Sequence, residues 1–151
     1  MKRLIIAAAM ALIGTGAMAG SGGVTQLKAA GDVATTMDAL EAAVTGAGAT
    51  VFARVDHAGG AEEVGMELAP AQLLIFGNPK LGTPAMQDDP LAGLYLPLRV
   101  LVYRDGGGQV WLAYEEPAHS MADLGGVAPD AEYLTKMTGA LKKLTGKASG
   151  M

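Results

Sequence analysis

Apolar positions recur along this chain in different rhythms, and each rhythm predicts an element. After Asp32, the residues Val33, Met37, Leu40, Val44 and Ala47 recur at the spacing of one helical face, with Asp32 as N-cap and Gly46 and Gly48 as the stop. In "ATVFARVD", Val51, Ala53 and Val55 alternate with Phe52, Arg54 and Asp56, which predicts a strand with one buried face. "AGGAEEVGMEL" reads as a short helix flanked by glycine, and "AQLLIF" as a continuous apolar strand covered on both sides. The β-rich runs "PLRVLVYRD" and "QVWLAYEE" flank three glycines at 106–108, which predicts an antiparallel hairpin over 97–115 in the sheet interior. Pro117 ends it. Asp130 then caps a last helix with Tyr133, Leu134, Met137, Leu141 and Leu144 on one stripe, followed by five frayed residues. The sum is an α+β two-layer sandwich: a mixed β-sheet with helices packed on it.

The N-terminus has a different pattern. Lys2 and Arg3 precede an apolar run from Leu4 to Ile13, and Ala17-Met18-Ala19 forms a small-x-small cleavage site. This is the order of a secretory signal peptide over residues 1–19, too short for a permanent membrane span. The expected mature chain begins at Gly20, in the periplasm or secreted. Residues 20–30 read as a flexible segment holding a first edge strand, and 31–147 as a single domain.

Charge and cysteine content narrow the function classes. Loss of Lys2 and Arg3 takes the formal charge from −4 to −6, the wrong sign for nucleic acid or an anionic membrane surface. Lys142, Lys143 and Lys147 suit a helix C-terminus rather than a binding patch. The chain has no cysteine, which excludes thiol catalysis, iron–sulfur clusters, cysteine zinc sites, covalent c-type haem and a lipid anchor beside the cleavage site.

The segment "LIFGNPKLGTPAMQDDP" is where an apolar strand breaks into glycine and proline. Gly77 and Gly82 have the spacing that opens a P-loop, but Thr83 and Pro84 stand where Lys and Ser/Thr must hold phosphate and magnesium. A structured turn remains. Pro79 holds Asn78 extended, Gly77 supplies conformational freedom at the strand end, and Thr83-Pro84 reads as an N-cap followed by proline at the first helical position. Amides near Ala85 and Met86, with Lys80 beside them, would suit an anion; otherwise Thr83 caps them.

The run from Val55 to Pro117 resembles the domain of unknown function 302 family. The resemblance spans residues 33 to 117 and rests on Asp56-His57, Ala61, Gly65, Pro70, Phe76-Gly77-Asn78-Pro79, Gly82-Thr83-Pro84, Met86, Leu96-Pro97 and Tyr114. It implies a small α/β domain and supplies no catalytic residue.

Site chemistry therefore rests on individual side chains. His57 follows a strand directly and has Glu62, Glu63 and Met66 nearby, a start for a transition-metal site. No second histidine stands at ligand spacing, so a turn-capping or carboxylate-bonded His57 is the competing account. His119, Ser120 and Asp123 lie close in sequence without a nucleophile elbow, and Ser120 reads as a helix cap. Asp88-Asp89 and Glu115-Glu116 are neighbours that point apart. If the strands before His57 and Gly77 run parallel, His57, Gly77, Asn78, Lys80, Thr83 and Met86 border one pocket. The function this favours is an exported, non-enzymatic domain that binds a small ligand or metal or acts as an accessory. A small enzyme using His57 as acid or base, and a purely structural homodimer, are the alternatives.

Overall fold

A computed structural model describes residues 18–19 and 22–151. The predicted leader lies outside these residues except for Met18–Ala19, which form β1, a two-residue strand paired with β2 (Val24–Ala29). The remaining elements are α1 (Val33–Gly46), β3 (Thr50–Asp56), α2 (His57–Glu63), β4 (Ala71–Gly77) and α3 (Pro79–Asp88). A 3-10 turn (Pro90–Leu94), β5 (Leu98–Arg104), β6 (Val110–Glu115), α4 (Pro117–Ser120) and α5 (Glu132–Ala148) complete the chain.

The strands form one open sheet in the order β1-β2-β6-β5-β4-β3, and every neighbouring pair is antiparallel. The α+β two-layer architecture matches the sequence pattern, as does the 97–115 hairpin, which lies inside the sheet. The sheet is not mixed. β3 and β4 are joined by the seven-residue α2 and a short loop, and such a link turns the chain back beside itself instead of carrying it across the sheet.

Local chemistry explains the element ends. The Asp32 carboxylate accepts from the Thr35 amide at 2.7 Å and starts α1, and Gly48 stops the chain beyond it with φ +75°. In the hairpin turn the Asp105 carboxylate accepts from the amides of Gly107 and Gln109 at 2.9 Å and from the Trp111 indole at 2.8 Å. These bonds, led by the Trp111 one, hold the Asp105 carboxyl below the ordinary carboxylate range. No side chain caps α5: it starts after Ala131, so Asp130 is not its cap. Nor does the C-terminus fray as expected. The helix continues to Ala148, and the Ser149 carbonyl accepts from the Ala30 amide at 2.9 Å.

The core has two parts. In the larger, Met37, Leu40 and Val44 of α1 and Leu141 and Leu144 of α5 pack on Leu74, Phe76, Val100, Val102, Leu112 and Tyr114 of the sheet. In the smaller, Ala85, Ala92, Met121, Leu124 and Val127 pack on Tyr133, Leu134 and Met137 of α5. Leu98 touches both. The opposite sheet face has no such cover: Leu73, Ile75, Leu101, Tyr103 and Trp111 are half-buried there. "AQLLIF" is thus fully covered on one face only.

β3 also departs from simple alternation. Its pairing with β4 slips between Val51 and Ala53, so Phe52 is the extra residue of a β-bulge. Beyond the bulge the faces exchange. Val51 lies opposite the core residue Phe76, but Arg54, not Ala53 or Val55, lies opposite the core residue Leu74. Arg54 then turns toward α1 and donates to Asp38 at 2.6 Å and Glu41 at 3.3 Å, while Val55 is left exposed.

Candidate functional site

The break after β4 builds a pocket, and Asn78 begins it. Asn78 is extended ahead of Pro79, and its side-chain oxygen accepts from the Lys80 amide at 3.0 Å. The helix therefore starts five residues earlier than Thr83-Pro84 suggests, with Pro79 as the first helical proline and Pro84 inside the helix. Asparagine before proline is a cap signal of the same kind as threonine before proline, and here the earlier of the two wins.

Against α3 stand the end of β4, the start of β5 and one side chain of α5. They enclose about 400 Å³, lined by Gly77, Asn78, Leu81, Gly82, Met86, Leu96, Pro97, Leu98 and Met137 among others. Phe52 reaches this space because the bulge aims it there. It is 58% exposed, and its ring edge is 3.3 Å from where a Cβ at residue 77 would lie. Gly77 thus leaves the room that the Phe52 ring needs. A Cβ at Gly82 would meet Leu96 at 3.5 Å and Met86 at 3.9 Å, so glycine there keeps the wall thin. Among the described residues, no Asp, Glu, Lys, Arg or His lines the cavity.

Gly77, Asn78, Thr83 and Met86 line this cavity. Lys80 does not line the cavity; it is exposed, and its backbone amide serves the Asn78 cap. His57 is elsewhere. Thr50 pairs with Gly77 and Asp56 with Gln72, which puts His57 at the other end of β4, roughly 17–20 Å from the turn at about 3.3 Å per residue. The shared edge expected for His57 and the turn depended on parallel strands, and the antiparallel pairing removes it.

His57 is exposed at the start of α2, where Asp56 caps the helix by accepting from the Gly59 amide at 3.0 Å. An open groove nearby is lined by Asp56, Glu62, Met66 and Gln72 but not by His57. Among the described residues, no group of three or more His, Cys, Asp or Glu could hold a metal ion. The other acidic and nucleophilic candidates have structural partners. Asp88 accepts from the Tyr133 hydroxyl at 2.9 Å, Asp89 caps the 3-10 turn, and Glu115 pairs with Arg99. The Ser120 hydroxyl donates to the Glu116 carbonyl one turn back and does not cap α4. The His119 ring packs on Gly23, whose φ is +76°.

Sequence reasoning missed Phe52, Leu81, Leu96, Pro97, Leu98 and Met137 as pocket residues. Phe52 left one trace: a large aromatic on the polar side of an alternating strand. Met137 left none, because it belongs to the core stripe of α5.

Fold and site together define a small α+β domain with one open antiparallel sheet and an apolar pocket at its end. The chain belongs to the family described as "Domain of unknown function DUF302", which matches residues 25–144. The crystal structure of an uncharacterized conserved DUF302 protein from Bacillus stearothermophilus shares the fold. It superposes with a TM-score of 0.67, covering 84% of this chain and 95% of that one at 16% identity. Curated relatives named fluoride-specific ion channel FluC 1, from Brucella suis and Brucella abortus, are each 40% identical over 122 residues. The match takes in 78% of this chain but only 46% and 44% of theirs. The chain thus spans less than half the length of these relatives.

Proposed function

We propose that this protein is an exported, non-enzymatic binding domain that holds a small ligand in the pocket between α3 and the β4–β5 edge. The observation that carries the proposal is the pocket itself: about 400 Å³, within the usual size of small-molecule sites, and walled by groups from five elements. A binding role fits better than an enzymatic one because no nucleophile, base and orienting group converge there.

The curated relatives favour an accessory role. No helix among the described residues is long and apolar enough to cross a membrane, so conduction in those channels would fall to the part that this chain does not match. The domain would then be an appended unit in them. Export rests on the N-terminal pattern: Edman sequencing should begin at Gly20, and an uncleaved product would refute it.

Native mass spectrometry of the purified protein tests the ligand. A reproducible added mass that disappears in Gly82→Leu is the expected result, and bare protein that no small molecule stabilises would overturn it. The half-buried apolar face of Leu73, Ile75, Leu101, Tyr103 and Trp111 favours a homodimer as a further property. The same spectra report whether dimers form.

A further inference from the structure

We propose that the pocket takes an uncharged, predominantly apolar molecule with a single neutral hydrogen-bond acceptor, and that Phe52 closes over it. This inference rests on the pocket being a ligand site.

Three observations carry it. The first is charge. Among the described residues no ionisable side chain lines the cavity, so a charged ligand would lose its water there without gaining a counter-ion, a strongly unfavourable exchange. The second is the wall. Leu81, Met86, Leu96, Leu98 and Met137 supply an apolar surface, and the two methionines can reshape it around ligands of different outline. At an interior packing density of about 0.74, the cavity takes roughly 300 Å³ of molecule, the size of two or three fused or linked rings or a medium acyl chain.

The third is the placement of the few polar groups. The Asn78 side-chain oxygen is occupied by the Lys80 amide, which leaves the Asn78 amide N–H groups as donors. Thr83 is also among the lining residues and carries a hydroxyl that can donate. Neutral donors with no cation in the lining suit a carbonyl, ether or hydroxyl oxygen rather than a carboxylate or phosphate. Phe52 then has a role that its exposure otherwise leaves unexplained. A bulge spends one unpaired residue to point an aromatic ring at the rim, and a bound apolar molecule covers that ring.

The test uses two dyes of similar shape: neutral N-phenyl-1-naphthylamine and anionic 8-anilino-1-naphthalenesulfonate. Expected are one-to-one binding of the neutral dye with a rise in fluorescence, and affinity for the anionic dye at least tenfold lower. Phe52→Ala should weaken the neutral dye about three- to tenfold. Gly82→Leu, which puts a side chain into the cavity, should abolish its binding, and Lys80→Ala should change neither dye. Circular dichroism and melting temperature check folding, and Met86→Trp fills the cavity from its rim should Gly82→Leu fail to fold. Equal or tighter binding of the anionic dye, lost in Gly82→Leu, would overturn the ligand class and leave the pocket standing. Binding of neither dye, or binding indifferent to both cavity-filling variants, would overturn the pocket reading and this inference with it.

Discussion

The two ends of the β3–β4 ladder began with similar claims to function and were built differently. At the Gly77 end, a strand, a ten-residue helix, a cis Leu96–Pro97 link and a core methionine close around apolar space. At the His57 end, a seven-residue helix with no buried residue lies over an open, acid-lined groove. The difference shows that a helix start becomes part of a site only when the rest of that helix packs. Ala85 of α3 is buried in the smaller core, so the wall beside the cavity is held in place. α2 has no such anchor, and its cap serves only itself.

The comparison is most strongly tested by cavity creation. Phe76→Ala, next to the pocket end and 2% exposed, should cost about 3–5 kcal/mol in urea unfolding. A loss under about 1 kcal/mol would mean that this end is looser than its packing implies. Next come the two caps. Asn78→Ala should lower global stability by about 1 kcal/mol. Asp56→Ala should leave the unfolding midpoint nearly unchanged while amide exchange in α2 speeds up, since α2 opens locally. Equal global losses would break the distinction between the ends.

A smaller effect is expected at the Asp105 turn, which lies at the His57 end of the sheet. Its carboxyl is held below the ordinary range in the fold. The stabilisation is therefore complete above the unfolded value, at about pH 5, and fades as pH falls through the lower folded value. The carboxylate is exposed, so the effect should amount to a few degrees in melting temperature. The single tryptophan, Trp111, reports it through fluorescence. In Asp105→Asn the acid-dependent part should flatten, and an unchanged pH profile would detach the turn from that carboxylate. The smallest change belongs to His57→Ala. An exposed residue with no hydrogen-bond or ion-pair partner among the described residues should shift stability by less than about 0.5 kcal/mol, and a larger loss would point to a contact that the open groove does not show.

Much of the fold was legible because its signals are local. The Asp32 cap, the stripe of α5 and the alternation around Gly106–Gly108 each depend on residues within one or two turns of each other. The errors arose where neighbours compete or a distant partner decides. Asn78-Pro79 and Thr83-Pro84 carry the same cap signal, and nothing local ranks them. In "ATVFARVD" the alternation predicts a single buried face for Val51, Ala53 and Val55, but a bulge opposite β4 moved Ala53 and Val55 to the open face and put Arg54 against α1.

By itself, then, the sequence determined the elements, the two-layer class, the absence of cysteine chemistry, and the glycine–proline break that lines a pocket. Those follow from side-chain periodicity and backbone freedom, which are properties of short stretches. Tertiary structure alone decided the direction of β3 against β4, the enclosure of the pocket by Met137 and Phe52, and the separation of His57 from Gly77. Strand direction depends on how a short connection turns the chain back. Enclosure depends on side chains as far apart in sequence as residues 52 and 137, brought together only when both parts of the core form.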